Sequence, residues 1–291
     1  MWFLWGILSA VTFGMSGFLM KVSSARRGST LYTLLGLYLT GTLGFFGWAL
    51  QTETLRADLP LLIAGIVIGL GSAAGNLLFM KALDQGPASL TSPLVNTNIL
   101  LIILFSVIVY GERLSGTEIA GVILLILAVS LIPFDPDEEL KIKNYRWYFL
   151  VLAATLLFTL RNGGLKVTEE MALSGTLVLF YGYLLGLVWF AAEGLLRRRS
   201  GTRKEKAPGN GRRALLTGLG WGSLAGIFSF VGMQLYAVAL IDGPASIVAP
   251  LFATNSLVVA VFSILFYRER LSRLQTLSLI LLFAGLVLVR I

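Results

Sequence analysis

One formal charge lies well inside an apolar run. It is Arg161, in the stretch WYFLVLAATLLFTLRNGGLK. Taking a charge into hydrocarbon is expensive, so an intramembrane charge reads first as a functional site. Asn162 stands beside it, and Gly163-Gly164 leave room. Together they could bind the carboxylate of an amino acid or another organic anion. The competing explanation is snorkelling: Arg161 is about fourteen residues into its run, close enough to the far end for a long side chain to reach the interface.

The second constellation occurs twice. GPASLTSPLVNTNILL begins at Gly86, and GPASIVAPLFATNSLV begins at Gly243. Of the fifteen residues from Gly86, nine are identical in the copy, at a gapless offset of 157. Each copy holds a proline (Pro93, Pro250) that removes a backbone hydrogen bond and favours a helix kink. A Thr-Asn pair follows, Thr97-Asn98 and Thr254-Asn255. At 1.5 Å per residue, Asn98 lies about 15 Å from the start of its run, mid-way through a ~30 Å hydrocarbon core. Freed backbone groups at that depth need protein or cavity water, so the paired kinks are candidates for a cavity wall. Helix–helix hydrogen bonding across a packed interface is the alternative.

Further polar residues at depth are Ser9, Thr12, Ser16, Asn76, Gln234 and Tyr236. Lys21 and Lys166 read as interface anchors. Glu112-Arg113 and Glu269-Arg270 close the fourth and ninth runs, as structural ion pairs or as gate contacts. All fifteen Asp and Glu residues lie in loops or near run ends, Glu193 being the deepest. The chain has no cysteine and no histidine. Thiolate nucleophiles, imidazole bases and Cys/His metal sites are therefore excluded. No cofactor, metal or catalytic residue is expected, and the chain does not read as an enzyme.

The elements that must position these residues are membrane helices. Of 291 residues, 56% are hydrophobic and only 13% charged, where a soluble domain has about a quarter charged. Ten apolar runs are legible, near 2–21, 31–50, 59–80, 88–110, 116–134, 147–166, 173–196, 214–240, 245–267 and 272–290, of the length that spans a bilayer. The formal net charge of +8 sits almost wholly in RRRSGTRKEKAPGNGRR, Arg197 to Arg213, so no nucleic-acid partner is expected. The expected partners are a small-molecule metabolite and membrane lipid, and a monomer suffices.

Phe13 and Lys21 also align with Phe158 and Lys166, at an offset of 145. The chain thus divides into a first five-helix repeat (1–134), a connecting loop (135–146) and a second repeat (147–291). After five crossings the second half starts on the opposite side, so the repeats are inverted, an architecture in which substrates bind near the midplane. The fold expected is an all-α polytopic membrane protein of ten helices. Eighteen basic residues fall in the loops of one side, which the positive-inside rule places in the cytoplasm. That puts segments 21–30 and 197–213 inside, both termini outside and the protein in the cytoplasmic membrane.

Two five-helix halves, the Trp5-Gly6 pair, Lys21 closing the first run, and the GPAS…P…N motifs followed by GERLS and RERLS resemble the EamA-type, ten-helix members of the drug/metabolite transporter superfamily. The resemblance covers nearly the whole chain and is specific to the superfamily rather than to a substrate. It implies an alternating-access carrier whose cavity is lined by the first, third, fourth, sixth, eighth and ninth helices. It points to export of amino acids or related compounds. Uptake of sugars or other metabolites, lipid-linked sugar translocation and a non-transporting scaffold are the alternatives. Small multidrug-resistance carriers, distant relatives, use a glutamate within their first helix. This chain has none there, which argues against that mode of cation exchange.

Overall fold

In hydrocarbon a spanning backbone must satisfy its own hydrogen bonds, which a helix does. The computed structural model describes residues 1–291 except 53–54, 112–114, 132–144, 200–210, 244–247, 249–250, 269–271 and 289–291. Its helices are α1 (Trp2–Ala25), α2 (Thr30–Thr52), α3 (Leu59–Leu83), α4 (Ala88–Asn96), α5 (Asn98–Tyr110), α6 (Gly116–Leu131), α7 (Tyr145–Glu170), α8 (Gly175–Arg199), α9 (Gly211–Asp242), α10 (Asn255–Tyr267) and α11 (Arg273–Leu288). Among the described residues seven helices are long and apolar enough to cross a membrane: α1, α2, α3, the α4–α5 run, α7, α8 and α9. The 24 residues of α1 give about 36 Å of helix, enough to cross the ~30 Å hydrocarbon core. Shorter apolar helices, α6, Leu251–Tyr267 and α11, complete the two halves. The protein is an all-α polytopic membrane protein.

The repeat symmetry is visible in which helices touch. α1 packs on α9, and α3 on α7; α2 packs on α9, and α3 on α8. In each couple the second contact is the first with the halves exchanged. α6 and α11 pair with each other at the margin.

Lipid tails are as apolar as leucine, so close packing rather than hydrophobicity holds membrane helices together. Small residues supply it here. A Cβ on Gly218 would stand 2.7 Å from the Ser29 carbonyl oxygen, and one on Gly222 would collide with the Thr33 backbone. These glycines let α9 lie directly on α2. In the matching contact, a Cβ on Gly69 would stand 2.8 Å from the Gly182 carbonyl oxygen, so α3 lies equally close to α8.

The fourth run is not one helix. α4 passes through Pro93 and ends at Asn96, and the interruption falls at Thr97, four residues beyond the proline. Thr97 Oγ1 donates to the Leu94 carbonyl at 2.6 Å, and Asn98 Nδ2 to that of Val95 at 2.9 Å. Thr254 and Asn255 do the same to Leu251 and Phe252, at 2.6 and 2.7 Å. Short polar side chains that bond nearby carbonyls offer the backbone an alternative to the helix ladder. The Thr-Asn pair thus sets the break. Pro250 lies outside the described residues.

Candidate substrate site

α7 carries Arg161 about 5 Å from its own midpoint, at 1.5 Å rise per residue. The side chain is 2% exposed, so it does not snorkel to an interface. Its Nε donates to Asn162 Oδ1 at 2.9 Å. Asn162 Nδ2 donates to Asn98 Oδ1 at 3.1 Å, and Asn98 donates onward to the Val95 carbonyl. A buried polar relay therefore runs from α7 to the break in the fourth run.

The guanidinium lies between two aromatic rings, 4.2 Å from the Phe158 centroid and 5.0 Å from that of Phe13. These are the phenylalanines paired at the repeat offset of 145, so each half contributes one face of the sandwich. The position of Arg161 corresponds at that offset to Ser16, so only one half supplies a charge. Among the described residues, the phenols of Tyr183, Tyr38 and Tyr236 interact electrostatically with Arg161. No carboxylate is bonded to it among the described residues. A guanidinium has five N–H donors, and this one has a single acceptor among the described residues.

Two of the phenols are held by hydrogen bonds. Tyr38 Oη is 3.0 Å from Ser72 Oγ and accepts from Asn76 Nδ2 at 2.9 Å. Tyr183 Oη is 2.5 Å from Ser229 Oγ. The Tyr236 ring packs at a tilt of 35° against Phe252, centroids 4.4 Å apart.

Two spaces lie along the helices of the relay, and Arg161 lines neither. One is a cavity of about 30 Å³ walled by Phe13 and Phe158, the rings against the guanidinium, with Asn76, Asn96, Ser229 and Asn255, room for one or two waters. Ser16 also borders it. The other is a pocket of about 470 Å³ that opens at the α7–α8 turn. Leu165 and Thr168 line it, and they follow Arg161 at helical spacing on one face of α7; Ala172, in the turn beyond α7, lines it too. Gln234 and Thr176 line the same pocket and hydrogen-bond to each other, Gln234 Nε2 donating to Thr176 Oγ1 at 3.0 Å.

The expected residues are thus only partly gathered. Asn76, Ser16 and Asn255 reach the small cavity, Gln234 the larger pocket, and Arg161, Asn162 and Asn98 form a relay that lines neither. Asn98 packs against α7 rather than walling the cavity, and its repeat mate Asn255 accepts from Asn96 Nδ2 at 3.0 Å. Thr97 and Thr254 serve the helix breaks. Thr12 bonds the Leu8 carbonyl of its own helix at 2.7 Å and joins neither space. Lys166 is buried and pairs with Glu170 at 3.0 Å, and Glu193 pairs with Arg197 at 2.5 Å. Glu112, Arg113, Glu269 and Arg270 lie outside the described residues. Phe13, Phe158, Tyr38, Tyr183, Asn96 and Ser229 were not among the expected site residues. Tyr38 and Tyr183 come from the second and seventh helices, beyond the six that the resemblance assigns to the cavity.

A model of the EamA-like transporter family matches residues 1–134 and 145–291. The chain belongs to that family. This EamA-like protein is therefore a membrane transporter of the drug/metabolite transporter superfamily. It is similar in fold to a solved structure described as "Crystal structure of protein", with a TM-score of 0.61 over 96% of each chain at 17% identity. No curated protein matches the sequence.

Proposed function

We propose that this EamA-like transporter is an alternating-access carrier of small metabolites bearing a carboxylate, amino acids or related compounds, and that it exports them across the cytoplasmic membrane. The observation that carries the reading is Arg161: buried near the middle of α7, held by one asparagine and two rings, with no bonded acid among the described residues. A buried cation with unused donors is a ready partner for a carboxylate, since charge-assisted hydrogen bonds to it are the strong ones.

Alternating access follows from rocking the first half (1–134) against the second (147–291), joined by the loop at 135–146. Two spaces of unequal size support this. The 470 Å³ pocket is of ligand-binding size, while the 30 Å³ cavity holds only water. The substrate passes between Phe13 and Phe158 and takes their place on the guanidinium. Export places the basic loops in the cytoplasm and the larger pocket outside.

The test is counterflow in proteoliposomes with radiolabelled amino acids, organic acids and sugars. Exchange of at least one carboxylate-bearing solute is expected. Exchange confined to sugars, or none across the panel, would overturn the proposal.

A further inference from the structure

A larger concave space than either lies elsewhere. It is a groove of about 710 Å³ between α3, α5 and α7. Ile68 and Ile102 form its buried floor. Its lining offers carbon almost alone. The two hydroxyls, Thr159 and Thr168, each donate to a carbonyl of their own helix, Thr155 at 2.9 Å and Leu165 at 2.8 Å, so neither is turned to a ligand.

The groove exists because α7 has no side chains where α5 diverges from it. A Cβ on Gly163 would meet only Ile102 Cγ1, at 3.8 Å. Its rim is apolar and outward-facing: Leu59, Ile63 and Leu160 are 70%, 54% and 49% exposed. In a bilayer such a rim meets lipid. Along α3 the lining runs from Leu59 to Ile68, about 14 Å at 1.5 Å per residue. That is half of a ~30 Å hydrocarbon core, the depth of one leaflet.

We infer that this groove is a binding site for one acyl chain of a membrane lipid, taken from the leaflet on the side of the α2–α3 and α7–α8 connections. An apolar cleft of this depth, opening to hydrocarbon and holding no free polar group among its described lining, takes hydrocarbon. The chain lies along Gly163 and closes the space between α5 and α3, while Gly164 is covered by Ile68, whose Cγ1 a Cβ there would meet at 2.8 Å. The groove is distinct from the Arg161 relay, since Arg161 does not line it, and Thr168 is the residue it shares with the larger pocket.

The probe is a phosphatidylcholine with a diazirine in one acyl chain, mixed at low fraction into vesicles holding the full-length protein. After photolysis, mass spectrometry maps the labelled peptides. Labelling is expected to concentrate at least five-fold in segments 59–68, 101–105 and 159–171 over the lipid-facing surface of α2 around Leu43 and Leu50. Gly163→Leu, which extends into the groove, removes that excess and leaves α2 labelling unchanged. Val67→Phe, on the groove wall, does the same should the first variant fail to fold. Even labelling of all apolar faces, or an excess that survives both variants, overturns the site. Labelling by a diazirine fatty acid but not by the phospholipid overturns the assignment to a bilayer lipid.

Discussion

Arg161→Met distinguishes a ligand-binding charge from a structural ion pair. The guanidinium makes one hydrogen bond, at 2.9 Å, and stacks on rings at 4.2 and 5.0 Å. A charged hydrogen bond contributes about 1.5–3 kcal/mol and each ring about 0.5–2 kcal/mol. Methionine forfeits those, about 2.5–7 kcal/mol in all. It also removes the desolvation penalty of a buried ion, which is several kcal/mol after relaxation. The two sides nearly cancel, so the variant is expected within about 2 kcal/mol of the wild type. Thermal unfolding in one mild detergent, followed by circular dichroism, measures this. If Arg161 balanced a buried acid, truncating it would leave that acid unpaired, at about 3–5 kcal/mol. A loss of that size refutes the reasoning. Retained stability with lost acid binding is the pattern expected of a residue kept for its ligand.

Other consequences are as direct. Gly222→Val forces a side chain into the Thr33 backbone and is expected to abolish folded protein, whereas Gly220→Val, with nothing within 4 Å, leaves the unfolding midpoint unchanged. Asn96→Ala removes the donor to Asn255 between α4 and α10; it is expected to cost about 0.5–2 kcal/mol, as interhelical hydrogen bonds in membranes do, in the same unfolding assay. The chain has no cysteine, so single cysteines report access without background. Ala237→Cys, on the larger pocket, is expected to react with a water-soluble methanethiosulfonate at least about ten-fold faster than Ser92→Cys, on the 30 Å³ cavity, given ligand-sized against water-sized space.

Much of this was legible in the residues, for physical reasons. Spans are readable because hydrocarbon demands long apolar runs. The inversion is readable because Thr97-Asn98 and Thr254-Asn255 perform the same local bonding and so keep the same letters at one offset. Pro93 misdirects: it is the visible helix breaker, yet α4 continues past it and the side chains of Thr97 and Asn98 end the helix. Asn96 escaped notice because its repeat mate is Ala253, and repeat symmetry highlights only what both halves share. Tyr38 and Tyr183 carry no periodic signal, since a single tyrosine in an apolar run looks like a lipid-facing ring. Only packing sets each beside a serine, Ser72 and Ser229, and toward Arg161. The pairing of Phe13 with Phe158 was readable as an alignment, but nothing in sequence says that both rings meet one guanidinium.

The central claim is that Arg161 recognises a carboxylate. Its most direct test compares counterflow of an amino acid with that of its amide, in wild type and in Arg161→Ala. The wild type should favour the acid by about ten-fold or more, the equivalent of roughly 1.4 kcal/mol. Arg161→Ala should bring the two rates together by slowing the acid alone. An acid-to-amide ratio that survives the substitution, or equal loss for both solutes, would contradict the account.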